Sequence, residues 1–460
     1  MKDIVIIGGG PGGYETAIRA AKLGANVTLI EKEVLGGTCL NRGCIPTKAL
    51  YRNAEILNNI KEADKFGIDV NGYSLNVSKV QSRKQEIVDK LVSGIEVLIK
   101  ENKIEYYNGF GSLVDKNTVL VKTEEETIEI KTKYIIIATG SKPSVIPVEG
   151  SDIEGIYTSK EILEFNEIPK RLTIIGAGVI GVEFANIFNS FGSEVTLMLR
   201  SKNIIKTEDV EISKRLASMF KKKGISILNK VEYKKIEKVN DTYVVTYEDK
   251  KGIKEIVGDK LLISAGRSPV LDGIGLEELG IKYTRKGITV DNEFKTNIDN
   301  IYAIGDVNGK LMLAHVASHQ GIEVVERIMG KIPKINQNLV PNCIFVFPEV
   351  SSIGKREEEL KEAGIEYNKN KFLFAANGKA LTLGEGDGFI KVLEVDNKIV
   401  GVHILGPHAS DLIHEAAIVI NNDLGVEDIA RTIHAHPTLS ETFVEAVLGL
   451  HNEAIHQIKK

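Results

Sequence analysis

A glycine turn set directly behind a short apolar strand occurs twice in this chain, and nothing else in the sequence constrains the fold as strongly. Residues 3–7 read as a buried strand, Gly8-x-Gly10-x-x-Gly13 follows at once, a helical stretch runs from Gly12 to Leu23, and Val27–Ile30 reads as the next strand. Glycines at this spacing permit a tight turn, let the backbone approach a pyrophosphate and allow close helix–strand packing, with the helix N-terminus facing the phosphates. Glu31 ends the second strand, where a carboxylate accepts ribose hydroxyls. The same grammar returns from Arg171 to Leu199, with Gly176-x-Gly178-x-x-Gly181 in the turn. The expectation is an α/β fold with two Rossmann-like dinucleotide-binding domains.

The duplication extends further. Tyr134–Gly140 and Lys260–Arg267 are both apolar strands ending in a glycine turn, each followed by proline (Pro143, Pro269). After about Val340 alternating strand patterns precede helical stretches at 411–421 and 438–448, which reads as a C-terminal α+β dimerisation domain. The boundaries expected are 1–148 for the first nucleotide domain, 149–270 for the second, 271–338 for a return to the first, and 339–460 for the interface domain. Residues 330–338 form the linker.

A length of 460 residues agrees with about three domains. Lys plus Arg total 59 against 63 Asp plus Glu, so no general electrostatic attraction to nucleic acid or an anionic membrane is expected. No apolar run approaches a membrane span, and the N-terminal run is too short for a signal peptide. A soluble, cytoplasmic protein is expected.

The two glycine units differ at one position. The residue equivalent to Glu31 is Leu199, with Arg200, Lys202 and Lys206 behind it. A carboxylate there would repel a ribose 2′-phosphate; a leucine followed by cations supplies donors instead. The second site is therefore read as favouring NADP over NAD, the alternative being a solvated basic loop.

Cys39 and Cys44 lie in Gly37-Thr38-Cys39-Leu40-Asn41-Arg42-Gly43-Cys44-Ile45-Pro46-Thr47-Lys48. Pro46 is placed to start a helix, which puts Cys44 at a helix N-terminus near Lys48, both favouring a thiolate. A redox-active pair is the reading; two inert thiols are the alternative. A zinc site would need two further ligands at sensible spacing, and no metal is expected. Cys343 reads as a core thiol.

That segment resembles the active-site signature of the pyridine nucleotide–disulfide oxidoreductases. His434-Ala435-His436-Pro437-Thr438-Leu439-Ser440-Glu441, Met312–His315 and the stretch at 403–407 resemble its dihydrolipoamide dehydrogenase branch, and the likeness spans essentially the whole chain. The resemblance implies FAD at the first unit, on Gly8, Gly10, Gly13 and Glu31. Lys48, Gly111, Thr139, Gly140, Ser141, Asp306 and Ala314 would lie near it. It implies NAD(P) at Gly176, Gly178, Gly181, Glu183, Arg200, Lys206 and Gly266, with Glu183 pairing the lysine. A dihydrolipoyl thiol, deprotonated by His436, would attack Cys39 of an oxidised Cys39–Cys44 pair; Cys44 would lie nearer the flavin, and hydride would pass to NAD(P)+. Glu441 would orient His436, although Thr438-x-x-Glu441 also reads as a capping box. His434 is read as structural.

The resemblance further implies a homodimer in which the His–Glu pair serves the opposite subunit's cysteines. The partner would be a lipoyl-bearing domain of a 2-oxoacid dehydrogenase, acetoin or glycine cleavage complex. The rival enzyme reading is an NADPH-dependent glutathione reductase, which the basic loop resembles but Ile18 does not. The non-enzyme reading is a flavoprotein docking scaffold, against which the intact cysteines and His436 argue.

Overall fold

The run Ile4-Val5-Ile6-Ile7 has no polar face, and such a strand must be covered on both sides. In the computed structural model, which describes residues 1–458, it lies in strand β1 (Lys2–Ile7), with Ile4 to Ile6 fully buried. Helix α1 (Pro11–Lys22) leads to β2 (Val27–Glu31), parallel to β1 with Ile4 opposite Val27. Helices α2 (Gly37–Arg42), α3 (Cys44–Lys61) and α4 (Val77–Glu101) follow, then β3 (Glu105–Asn108), which extends the sheet beyond β2. Strands β4 (Phe110–Asp115), β5 (Thr118–Lys122) and β6 (Thr127–Ile137) form an antiparallel meander. Strand β6 serves two sets of partners: its first half pairs with β5, its second half runs parallel to β1. Short β7 (Ser141–Pro143) leaves the unit.

The second unit repeats the first with fewer strands. It contains β8 (Arg171–Ile175), α5 (Val179–Phe191), β9 (Glu194–Leu199), α6 (Val210–Lys222) and β10 (Ser226–Asn229). An antiparallel ribbon of β11 (Glu232–Val239), β12 (Thr242–Asp249) and β13 (Gly252–Gly258) comes next. Strand β14 (Lys260–Ile263) then joins the parallel sheet, whose order is β10-β9-β8-β14. Strand β15 (Arg267–Pro269) pairs with β7, Pro269 opposite Ser141. The two proline-bearing segments that look like copies in the sequence are thus hydrogen-bonded neighbours. After a hairpin of β16 (Tyr283–Thr284) and β17 (Gly287–Ile288), β18 (Ile301–Ala303) pairs with β6 and α7 (Ala314–Ile328) packs on α1, returning to the first unit.

The C-terminal region is α+β, as the sequence predicts. It runs β19 (Asn342–Ile344), β20 (Glu349–Gly354), α8 (Glu357–Glu362), β21 (Asn368–Leu373) and α9 (Gly378–Leu383). Strands β22 (Phe389–Val395) and β23 (Lys398–Gly406) and helices α10 (Ala409–Asn421), α11 (Val426–Ala430) and α12 (Glu441–Leu448) complete it. The antiparallel sheet order is β19-β20-β23-β22-β21. Val346, Val350, Phe389 and Leu405 of this region share one apolar core with Leu50 of α3 and Phe184 of α5. Burial on that scale fastens the third region to the two helices that carry Cys44 and Glu183.

Two local expectations need correction. The helix after the cysteine turn starts at Cys44 rather than Pro46, and the last helix starts at Glu441 rather than Thr438, with Ser440 as its cap. Among the described residues no helix is long and apolar enough to cross a membrane.

Candidate active site

Both glycine turns, both cysteines, Lys48 and Glu183 line one cleft of about 1860 Å³. That exceeds the roughly 300–1,000 Å³ of an ordinary ligand pocket and suits two dinucleotides meeting end to end. The glycines divide by task. A Cβ at Gly8 (φ +113°) would lie 2.2 Å from the Ala138 carbonyl oxygen, and one at Gly13 would lie 1.7 Å from that of Gly8. In the second unit the corresponding approaches are 2.5 Å from Gly176 to Ser264 O and 2.1 Å from Gly181 to Gly176 O. These four are required by the fold, and Gly13 and Gly181 do not face the cleft. The middle glycines are different: Gly10 has its nearest neighbour at 3.8 Å and Gly178 has none within 4 Å. Their bare backbone is open to the cleft at a helix N-terminus, as a pyrophosphate needs. The residues present therefore fit FAD at the first turn and a pyridine nucleotide at the second.

Glu31 lies at the first turn with its carboxylate accepting the N–H groups of Gly9 (2.7 Å) and Glu33 (2.8 Å). Gly111, Thr139, Gly140, Ser141, Asp306 and Ala314 line the same part of the cleft. The Ser141 hydroxyl donates to Asp306, and Arg267 donates to the hydroxyl (2.7 Å) and carbonyl (2.8 Å) of Ser141 while its Nε stands 3.8 Å from Asp306. Arg267 was not singled out from sequence, although it directly follows Gly266 in the duplicated strand–glycine pattern.

The thiol pair is built by two short turns. Gly36 (φ +90°) and Gly37 (φ +54°) start α2, which carries Cys39; Gly43 separates α2 from α3. A side chain at Gly43 would meet Thr38 O at 2.8 Å, so the close approach that brings Cys39 and Cys44 together excludes one. Cys39 is half-buried and Cys44 is open to the cleft. The Cys39 thiol donates to Cys44, which together with burial pushes Cys39 up. Cys44 moves the other way, to about 7, because it accepts from Cys39 and faces Lys48, which outweighs its desolvation.

Lys48 is held by two groups. Its Nζ donates to both Glu183 oxygens at 3.0 Å and lies 4.3 Å from the centre of the Phe345 ring. The Phe345 N–H donates to the same carboxylate (3.0 Å). Buried Glu183 thus joins α3, α5 and the C-terminal region at the thiols. Phe345 carries no pattern that sequence reasoning could have read. Cys343, also half-buried on the cleft wall, accepts from Ser351 Oγ (3.5 Å), and burial raises its thiol.

Leu199 is buried at the end of β9, and Arg200, Lys206 and Gly266 line the second-turn part of the cleft. His436 and Glu441 do not line it. They face each other elsewhere, with His436 Nδ1 2.8 Å from Glu441 Oε1 and the His436 side chain 79% exposed. A carboxylate can only accept, so Nδ1 carries the proton and Nε2 is left as a base. Glu441 Oε2 accepts the Thr438 N–H (2.7 Å); despite desolvation these two bonds hold the carboxyl below its usual range. The bond from the Thr438 N–H is one half of the capping box; the Thr438 hydroxyl donates to Ala435 O, and the helix itself begins only at Glu441. His434 pairs with Glu415 at 2.6 Å.

Residues 2–321 match the family model for pyridine nucleotide-disulphide oxidoreductases, and residues 340–447 match that family's dimerisation domain. The chain belongs to the pyridine nucleotide-disulphide oxidoreductase family and is a flavin-dependent disulfide oxidoreductase. A dihydrolipoyl dehydrogenase of Bacillus subtilis is 44% identical to it, over 99% of each chain. The mitochondrial dihydrolipoyl dehydrogenase of Pisum sativum is 40% identical, over 99% of this chain and 92% of that one. Among solved structures, LpdA of Mycobacterium tuberculosis superposes with a TM-score of 0.91 at 25% identity, covering 98% of this chain and 100% of that one. The HOCl-induced flavoprotein disulfide reductase RclA of Escherichia coli gives 0.87 at 28% identity, covering 97% and 99%. The branch suggested by 434–441 is thereby borne out over that of the glutathione reductases.

Proposed function

We propose that this chain oxidises a dihydrolipoyl group to lipoyl disulfide and passes the electrons to a pyridine nucleotide, NADP+ in preference to NAD+. The observation that carries the reading is a lowered thiol, Cys44, that begins a helix beside Lys48 in the cleft holding both glycine turns. Held at the first turn, FAD would supply the two-electron relay between that thiolate and the nicotinamide.

His436 Nε2 takes the proton of one dihydrolipoyl thiol, with Glu441 keeping Nδ1 protonated and stabilising the imidazolium. The thiolate attacks Cys39 Sγ of the oxidised pair; the Cys39–Cys44 bond breaks and Cys44 leaves as the thiolate that its environment favours. The second dihydrolipoyl sulfur attacks the mixed disulfide, closes the lipoyl ring and frees Cys39. Of the two substrate protons one ends on Cys39 and one leaves through His436. Reoxidation of the pair gives up two electrons and the Cys39 proton, equivalent to the hydride that NAD(P)+ receives.

Because His436 stands away from the cleft of its own chain, the dyad serves the cysteines of the second subunit in a homodimer built through the C-terminal region. The domains of this enzyme divide at 148, 270 and 338. The partner is a lipoyl-bearing domain of a 2-oxoacid dehydrogenase, acetoin or glycine cleavage complex, in the cytoplasm. NADP preference rests on Leu199 standing where Glu31 stands in the first unit, with Arg200 and Lys206 behind it.

The test is oxidation of dihydrolipoamide by the purified flavoprotein with NAD+ and NADP+ in parallel. Reduction of NADP+ faster than NAD+ is expected. The reverse order overturns the preference alone; no turnover with either, together with NADPH-dependent reduction of glutathione disulfide, overturns the substrate.

A further inference from the structure

The basic loop of the second unit has a neighbour that neither the glycine turn nor the loop itself explains, an aromatic ring beneath Arg200. We propose that Tyr233 is the platform that sets the Arg200 guanidinium for a phosphate on the ribose of the pyridine nucleotide, which makes Tyr233 a specificity-determining residue. This rests on the reading that the second site prefers NADP.

The Arg200 guanidinium carbon lies 5.4 Å from the centre of the Tyr233 ring, and both residues line the cleft. The ring is fixed. Tyr233 is buried, and its hydroxyl donates to the Met198 carbonyl (2.9 Å), which also accepts the N–H of Gly176 (2.9 Å). One carbonyl therefore ties the ring to the first glycine of the nucleotide turn. The backbone on either side is tied as well, since the N–H of Val231 donates to Leu199 O (3.2 Å). The second cation is located by a parallel device: the N–H of Ile205 donates to Ala177 O (2.7 Å), holding the start of the Lys206 segment against the turn. Among the described residues no carboxylate pairs with Arg200 or Lys206, so their charges are not already neutralised.

A guanidinium over an aromatic face keeps its N–H edges free, and a planar fork meets two phosphate oxygens at once. A free arginine side chain loses rotamer freedom when it binds; a ring beneath it removes part of that loss before the ligand arrives. A ligand without the 2′-phosphate gains nothing from this arrangement. Tyr233 thus acts through Arg200 and only on phosphorylated ribose, which separates a positioning role from a merely structural one.

The experiment is calorimetric titration of the flavin-loaded enzyme with adenosine 2′,5′-bisphosphate and with 5′-AMP. Tyr233→Leu should weaken the bisphosphate about tenfold and leave AMP within about twofold. Tyr233→Phe, which keeps the ring but loses the bond to Met198 O, should weaken the bisphosphate less than Tyr233→Leu does and leave AMP within about twofold. Equal losses for both ligands in Tyr233→Leu would make the ring simply part of the fold and overturn the proposal, as would an unchanged bisphosphate affinity. Arg200→Gln separates the two levels. If it leaves bisphosphate binding unchanged, the NADP reading itself falls; if it weakens binding while Tyr233→Leu does not, the reading stands and the platform falls. Should Tyr233→Leu not fold, Arg200→Lys decides: it keeps the charge without the flat fork, and bisphosphate affinity equal to the parent's would overturn the proposal, a loss of about fivefold support it.

Discussion

In the first glycine unit β2 ends in Glu31, whose carboxylate gathers the N–H groups of Gly9 and Glu33. In the second, β9 ends in Leu199, 3% exposed, and the next residue lies over Tyr233. Around this difference the two units are nearly superimposable in their constraints. Gly8 and Gly176 share a positive φ and a backbone oxygen behind them, Gly13 and Gly181 each press on the turn's first carbonyl, and Gly10 and Gly178 face open space. The shared turn geometry suits a dinucleotide in both units, and under the proposed function the residue at the strand end is what distinguishes the two.

Both units serve one thiol pair, so the largest effect should ignore the comparison. Cys44→Ser is expected to lower dihydrolipoamide oxidation at least about a thousandfold with NAD+ and NADP+ alike; full turnover would sink the mechanism. His436→Gln should lose about 10²–10⁴-fold by removing the general base, and a loss below about tenfold would contradict that role. Co-expressing the two variants sharpens the subunit assignment. Only a mixed dimer unites one intact thiol pair with one intact dyad, so about a quarter of parental activity should return; none returns if the dyad serves its own chain.

The glycine division makes the next prediction. Gly8→Ala should cost about 1–3 kcal/mol and weaken flavin retention, because its Cβ meets Ala138 O and its φ is positive. Gly178→Ala should melt within about 2 °C of the parent yet raise the pyridine nucleotide KM about tenfold, since its Cβ enters only the space of the ligand. Equal destabilisation by both would erase the division. Leu199→Glu then transplants the first unit's residue into the second: the NADP+/NAD+ ratio of kcat/KM should fall about tenfold, and an unchanged ratio would show that the strand end is not the selector.

The smallest effect concerns protons. Reduced enzyme should gain thiolate absorbance as pH rises through about 7, the value for Cys44. Lys48 is one of the groups that depress it, so Lys48→Met should move the midpoint upward by about one unit, with less thiolate at neutral pH. A midpoint left in place would assign the depression to Cys39 and the α3 N-terminus alone.

Much of this was legible before any coordinates. Strands flanking glycine turns announce themselves because a buried parallel strand must be apolar throughout and a positive φ calls for glycine. Cys39, Cys44 and Lys48 share one short segment, so their neighbourhood is local. The start of α12 differs from the sequence expectation for an equally local reason: Thr438-x-x-Glu441 has the letters of a capping box and Glu441 does accept the Thr438 N–H, but the same carboxylate also holds His436, and the helix begins only at Glu441. The roles of Arg267, Phe345 and Tyr233 had no such signal. Each acts by meeting a residue far along the chain, Ser141, Glu183 and Met198 respectively.

The sequence by itself determined two dinucleotide folds and a thiol pair at a helix start, because these depend on periodicity, turn stereochemistry and residues a few positions apart. Tertiary structure alone decided that the Phe345 N–H joins Lys48 on Glu183, that Arg200 lies on a ring from the following ribbon, and that Arg267 closes on Ser141. Such meetings depend on how separate elements close on a common core. That closure is set by the summed burial of many side chains, which no short motif encodes.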